Sequence, residues 1–125
     1  MARHWIFMNQ GVPSEYRGAR NTLAQDQQTI VEGHAHYAEN CASCHGPKSV
    51  GDGDAGRALS PSPALLASMI QMPMSVDEYL LWTISEGGSL LDTPMPSFKD
   101  QLTRDDIWKI VIYMRAGFPI ARKEE

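Results

Sequence analysis

Residues 41–45 read Cys41-Ala42-Ser43-Cys44-His45, which is the pattern Cys-x-x-Cys-His. This pattern is the attachment signature of a c-type haem. Two thiols three positions apart can each add to one vinyl group on the same porphyrin edge, and the histidine after the second thiol lies under the iron. We therefore predict that Cys41 and Cys44 hold one haem covalently and that His45 is the proximal iron ligand.

Two other uses of closely spaced cysteines remain as alternatives. A thioredoxin-like dithiol requires a strand and a helix within a βαβ unit, whereas the flanks here predict a helix and a glycine-rich loop. A zinc site requires four ligands, and His34 and His36 are available to complete one. Their spacing from the cysteines is not a standard zinc spacing, so haem attachment is the favoured interpretation.

The residues before and after this stretch predict helices joined by loops. From Asp26 to Cys41, apolar and small residues recur at the 3.6-residue period of a helix. The many glycines and prolines of residues 46–63 are typical of a loop. A short helix ended by Pro73 follows, and its apolar stripe consists of Leu65, Leu66, Met69 and Ile70.

Two more helices are predicted in the second half of the chain. Ser75 and Glu78 match a capping box at the start of a helix, which Gly87-Gly88 ends. After a loop over residues 87–102, Thr103 is the predicted N-cap of the last helix. The buried stripe of that helix consists of Ile107, Ile110, Val111 and Met114, and it ends at Gly117 and Pro119.

The predicted fold class is all-α, because no alternating strand pattern and no internal repeat stands out. About four helices form the domain, which covers residues 26–118. An irregular N-terminal arm covers residues 1–25, where Gly11, Pro13 and Gly18 interrupt the chain, and residues 119–125 form a C-terminal tail.

Composition and charge exclude several classes of protein. The chain has 125 residues, 42% of them hydrophobic, and a formal net charge of −4. This length suits one domain with a core. No apolar run approaches the ~18–20 residues that span a bilayer, and an acidic chain without a basic stripe is a poor candidate for nucleic-acid binding.

The charge is unevenly distributed along the chain. Residues 23–108 contain four basic and twelve acidic residues, a local charge of −8, whereas residues 1–22 and 109–125 each carry +2. A solvated surface explains such a pattern. Alternatively, the acidic middle steers a basic partner to one face of the molecule.

Several residues outside the cysteine motif extend the pattern. Gly33, Tyr37, Cys41 to Gly46, the later Met95-Pro96 and an aromatic-rich last helix together resemble a class I cytochrome c of the bacterial monohaem type. The resemblance covers residues 26–118. It implies a helical bundle around one haem c, histidine–methionine ligation of the iron, and electron transfer as the activity.

The resemblance also implies a contact between the first and last helices of the domain. Gly33 has no side chain, so another helix can approach its backbone closely. Tyr37 offers an aromatic face one turn later, and the matching positions on the last helix are Ile110 and Tyr113.

The distal ligand should lie on a loop that can reach the haem face opposite His45. Met95 lies on such a loop just before the last helix, and Pro94 and Pro96 restrict its backbone, which lowers the entropy cost of holding a weak thioether ligand. The proline-linked pair Met72 and Met74 is the rival, and an open or histidine-ligated iron is a further alternative.

Further expectations concern the residues that surround the haem. Pro63 matches a family segment in which the proline carbonyl accepts a hydrogen bond from the proximal histidine, which orients the ring; Pro61 competes for this role. Trp82 is a candidate to pack on the haem or bind a propionate, and Arg57 is a candidate to pair with a propionate. We expect His4, His34 and His36 to be surface residues, the latter two facing solvent or the edge of the haem crevice.

These residues predict a one-electron carrier rather than an enzyme, acting as a soluble shuttle or as the electron-accepting subunit of a redox complex. Its expected partners are redox proteins with a basic docking patch. The alternative is a five-coordinate or labile-methionine haem protein that binds a small gas or peroxide. Because haem attachment in bacteria follows export, the resemblance implies a periplasmic protein whose leader is absent from this chain. Residues 1–11 lack the apolar stretch of a secretory signal.

Overall fold

The computed structural model describes residues 2–45, 69–73, 75–88 and 95–119, without the side chains of residues 2–4, 43 and 44. These residues form five helices and no strand: α1 (Ala2–Gln10), α2 (Gln27–Asn40), α3 (Ala42–His45), α4 (Asp77–Glu86) and α5 (Arg104–Arg115). The all-α prediction is confirmed. No helix in this part of the chain is long and apolar enough to cross a membrane.

The crossing of α2 and α5 organises the core. Asp26 caps α2 by accepting a hydrogen bond from the Thr29 backbone N–H at 2.9 Å. A Cβ atom placed on Gly33 would lie 2.0 Å from the carbonyl oxygen of Lys109, so the two helices touch there backbone to backbone. The rings of Tyr37 and Tyr113 pack with their centroids 5.4 Å apart. The predicted contact between these two helices is therefore confirmed.

Helix α5 begins and packs as its sequence predicts. The Thr103 hydroxyl accepts a hydrogen bond from the Asp106 N–H, and the Asp106 carboxylate accepts one from the Thr103 N–H, both at 3.0 Å. This reciprocal capping box satisfies two backbone donors that the helix leaves unpaired. The predicted stripe is buried and consists of Ile107, Ile110, Val111 and Met114.

The predicted capping box of α4 is wrong. Val76 is the N-cap residue and makes no side-chain cap bond. The Ser75 hydroxyl instead donates to the Met69 carbonyl at 2.5 Å, and the Glu78 carboxylate accepts from the Gly18 N–H at 2.6 Å. Both side chains that the capping box needs are thus bound to residues outside the helix. The predicted end of the helix at Gly87 is confirmed.

The N-terminal arm is not irregular throughout, which corrects the prediction for residues 1–25. Residues 2–10 form α1, and Ile6 and Phe7 of this helix pack on the core. The Phe7 ring lies 4.8 Å from that of Tyr79 in α4. Tertiary packing stabilises a short helix that local propensity alone leaves marginal. Residues 11–25 contain no regular element, as expected.

Other sequence predictions fall on residues that the structure does not describe. These are the loop at residues 46–63 and the first part of the following short helix. Of its apolar stripe, Met69 and Ile70 are described, and both pack partly buried against the core.

Candidate functional site

The Cys41–His45 stretch continues directly from α2. The backbone N–H of Cys41 donates to the Tyr37 carbonyl at 2.8 Å, and the N–H of His45 donates to the Cys41 carbonyl at 2.9 Å. One helical turn therefore separates Cys41 from His45, and Cys44 lies within α3. The spacing of the motif is thus built on helical backbone, which holds its residues more rigidly than a loop would.

The chemistry of this stretch fits a covalently attached haem. His45, the last residue of the four-residue helix α3, is only 9% exposed. Cys41 is half-buried and packs against the core. A buried imidazole beside a half-buried thiol suits an apolar cofactor that is bound through sulfur and ligated by nitrogen. The side chain of Cys44 lies outside the description.

Met95 is half-buried and its backbone is held at the C-terminal end of α4. The Met95 carbonyl accepts a hydrogen bond from the Gly88 N–H at 3.0 Å. Gly87 has φ +65°, and a Cβ atom there would lie 2.3 Å from the Pro96 carbonyl oxygen. The methionine segment therefore rests directly on the glycine that ends α4.

The segment after Met95 is anchored on the same helix end. The carbonyl oxygen of Ser85 accepts hydrogen bonds from the Ser97 hydroxyl at 2.7 Å and from the N–H groups of Phe98 and Lys99 at 3.1 Å. Ser85 and Ser97 were not identified from the sequence, and Gly87 was predicted only as the end of a helix. A double glycine at a helix end was the available signal, because it also permits a second backbone to approach closely.

The predicted residues around the haem are only partly described. Trp82 lies in α4, is buried, and packs edge-on against Tyr79 with ring centroids 6.1 Å apart. Arg57, Pro61 and Pro63 lie outside the described residues.

The rival methionines differ from Met95 in their surroundings. Met72 is 45% exposed and lines an open groove of about 650 Å³ between residues 18–20 and the start of α4. Neither Cys41 nor His45 lines this groove. Met74 lies outside the described residues.

The histidines of α2 lie at its contact with α5. Both are partly buried, and His36 Nε2 lies 3.2 Å from Asp106 Oδ1. The His34 ring meets Tyr113 edge-on at 5.2 Å. Burial by itself raises the pKa of Asp106, but the Thr103 N–H and hydroxyl, together with His36 and Lys109, leave that pKa below its ordinary value. Within the described residues no three His, Cys, Asp or Glu side chains form a metal-binding group.

Comparison with solved structures finds a protein of similar fold. A chain of the reducing HAO-like protein complex of Kuenenia stuttgartiensis is 25% identical, with a TM-score of 0.64. The match covers 75% of this chain and 46% of the other, so this chain spans less than half the length of that neighbour. No curated protein sequence matches the chain.

Comparison with protein families gives a match that covers most of the domain. The model of the family described as cytochrome c oxidase, cbb3-type, subunit III matches residues 28–114, from the start of α2 to the last turn of α5. The match includes the Cys41–His45 stretch and Met95. The covalent haem c, the electron-transfer activity and the helical fold that the sequence predicts are those of this family. The chain belongs to the cbb3-type cytochrome c oxidase subunit III family, whose c-type cytochrome domain it contains.

Proposed function

We propose that this protein carries single electrons through one haem c, attached to Cys41 and Cys44 and ligated by His45 and Met95. The bound haem supplies a reversible one-electron couple whose potential a methionine ligand raises. The observation that carries the proposal is the buried His45, held one helical turn after Cys41 in the attachment motif.

The protein's own residues keep the site closed and rigid. The helical turn of α3 fixes the backbone of His45, and burial of the imidazole excludes water from it. Met95 is half-buried, and the end of α4 holds its backbone. With both axial positions filled by protein, no position is left for a substrate, which favours a carrier over an enzyme.

Two observations favour Met95 over Met72 as the distal ligand. The Met95 backbone is hydrogen-bonded to Gly88 and lies against Gly87. Met72 is more exposed and faces a groove that the cysteine motif does not line. We also propose that Pro63, Trp82 and Arg57 contact the haem or its histidine ligand. Trp82 is buried, which suits a residue that packs on the haem.

The proposal extends to partner and location. The structural neighbour is part of a protein complex, and we propose that this chain passes electrons to a redox protein, as a shuttle or as a subunit. A local charge of −8 over residues 23–108 suits a partner with a basic patch. Covalent haem attachment supports an exported, periplasmic protein.

The test is visible and near-infrared absorption of the haem-loaded chain, oxidised and reduced, before and after carbon monoxide is added. We expect a near-infrared methionine-to-iron band that is lost in Met95→Ala and retained in Met72→Ala, with no carbon monoxide adduct in the wild type. An adduct that forms readily in the wild type would overturn the closed site and favour a gas-binding protein. Loss of the band in Met72→Ala alone would assign the ligand to Met72.

A further inference from the structure

Residues 12–21 form a strap along α4, tied to both ends of that helix. At its start, the Asp77 carboxylate accepts from the Asn21 N–H at 2.9 Å and Glu78 accepts from the Gly18 N–H at 2.6 Å. At its end, the Tyr16 hydroxyl donates to the Glu86 carboxylate. The strap therefore runs antiparallel to α4 and covers its whole length.

Glu86 is bound from a second side as well. Lys99 Nζ lies 3.1 Å from Glu86 Oε1 and 3.3 Å from Oε2. Lys99 closes the segment that starts at Met95 and is anchored on the Ser85 carbonyl. One carboxylate thus joins the strap, the end of α4 and the methionine segment.

The two bonds to Glu86 are not equal in weight. Tyr16 is only 3% exposed, so its hydroxyl donates to an ionised acceptor from a largely dry position, and such a bond is among the stronger hydrogen bonds in proteins. Lys99 is exposed, and exposed ion pairs contribute little individually. Tyr16 is therefore the main anchor of the bridge.

We propose that Tyr16 is a positioning residue for Met95: through Glu86 and Lys99, the strap holds residues 95–99 against the end of α4. The part that concerns ligand strength rests on the proposed ligation of the iron by Met95. A thioether is a weak ligand, so an external ligand competes with it in proportion to the time the segment spends displaced. Loosening the bridge increases the fraction of time that the segment is displaced, while the Met95 side chain itself is unchanged.

The test compares Tyr16→Phe with wild type in the haem-loaded 125-residue chain. Tyr113→Phe is the matched control, since it removes a hydroxyl from a buried tyrosine of α5 and retains the ring. The first readout is hydrogen exchange at the amides of Gly88, Phe98 and Lys99, whose acceptors are the Met95 and Ser85 carbonyls. The second is the affinity of imidazole for the oxidised haem.

In Tyr16→Phe we expect faster exchange at these three amides and imidazole binding about threefold tighter, because the exposed Lys99 contact limits what the bridge transmits to the segment. The control should match wild type in both readouts. Lys99→Met is a surface change that leaves the core intact and removes the contact between Glu86 and the segment. It should move both readouts in the same direction at least as far, and it tests the bridge even if Tyr16→Phe does not fold.

Wild-type exchange at these amides in both bridge variants would overturn the proposal. Faster exchange with unchanged imidazole affinity and an intact methionine band would overturn the positioning role. A near-infrared band that survives Met95→Ala would instead overturn the ligand assignment, and the exchange experiment would still decide whether the bridge holds the segment.

Discussion

Gly87 is the residue on which the end of α4 and the methionine segment depend together. Its φ of +65° lies in the left-handed region, and the Pro96 and Met95 carbonyl oxygens lie 2.3 and 2.7 Å from where a Cβ atom would be. Only glycine meets both demands without strain. The residue therefore determines the position of the segment as well as the end of the helix.

Gly87→Ala should lower the free energy of unfolding of the haem-loaded protein, measured by urea denaturation. The backbone conformation of Gly87, with φ +65° and ψ −154°, is essentially confined to glycine and costs ~1–3 kcal/mol with a side chain. The clash with Pro96 adds to this cost. Gly117→Ala is the control, because Gly117 has φ +96° with open space around its Cβ position. Equal losses in the two variants would show that the contact with Pro96 carries no weight.

Glu86, at the same end of α4, makes the stability of the protein depend on pH. The hydrogen bond from Tyr16 lowers the pKa of this carboxyl below its ordinary value; burial opposes the shift and Lys99 adds to it. A carboxyl with a lowered pKa in the folded state stabilises the protein above its unfolded pKa of ~4.3, and the contribution is lost as the pH falls through the folded pKa.

Glu86→Gln should therefore reduce the loss of stability that wild type shows on acidification from about pH 5 to pH 3. The measurement is the urea midpoint across that range. Glu39→Gln, at an exposed position of α2, makes the same change in charge away from the bridge and should leave the wild-type slope. A slope in Glu86→Gln equal to that of wild type would contradict the expectation.

Among the helix contacts, the crossing of α2 and α5 restricts the geometry most, because the two backbones touch there. Lys109 contributes its carbonyl to the backbone contact at Gly33, and its ammonium lies 2.9 Å from the Glu32 carboxylate of α2. This ion pair is only partly buried, and such pairs near the surface contribute little by themselves. The close approach of two rigid helices decides how α2 is oriented and, through the continuous backbone, where Cys41 and His45 lie.

Gly33→Ala should force these helices apart, since its Cβ atom would lie 2.0 Å from a backbone oxygen that cannot rotate away. We expect a loss of at least ~1–3 kcal/mol in the free energy of unfolding, as for an overpacked core. Ala35→Gly, on the exposed side of α2, should cost only ~1 kcal/mol through helix propensity. A fully stable Gly33→Ala protein would contradict this contact.

A helix end was predicted correctly where the residues that determine it lie within one turn of each other. Thr103 and Asp106 cap α5 as the sequence indicates, because both partners lie within one turn. Ser75 and Glu78 carry the same type of pattern but bind Met69 and Gly18, which no local rule identifies. Helix α1 was missed because its stability comes from packing against Tyr79 rather than from its own period.

At the scale of the whole molecule, we propose that net charge influences how redox partners approach. The carboxylates of Asp77, Glu78, Glu86 and Asp106 accept hydrogen bonds from neighbouring residues. The chain nevertheless keeps a net charge of −4. Salt screens the electrostatic attraction between the protein and a charged partner, because the Debye length falls to ~10 Å at 0.1 M salt.

We therefore expect reduction by the cation hexaammineruthenium(II) to slow as ionic strength rises, and oxidation by the anion hexacyanoferrate(III) to accelerate. Stopped-flow spectroscopy of the haem measures both rates. The pair is its own control, since a general effect of salt on the protein would move both rates in the same direction. That outcome would contradict a role for the acidic charge in docking.

The sequence by itself predicted the covalent haem c that the family implies, the all-α fold class, the end of α4 and the start of α5. The attachment motif and the cap of α5 depend on spacings within a few residues, and the glycine–tyrosine contact follows from the resemblance to a family whose model matches residues 28–114. Only the tertiary structure decided which backbone lies against Gly87, which partners Ser75 and Glu78 take, and that residues 12–21 bind along α4. The physical reason is that these contacts join segments up to 70 residues apart, as Tyr16 and Glu86 are, and only the packed core brings them within bonding distance.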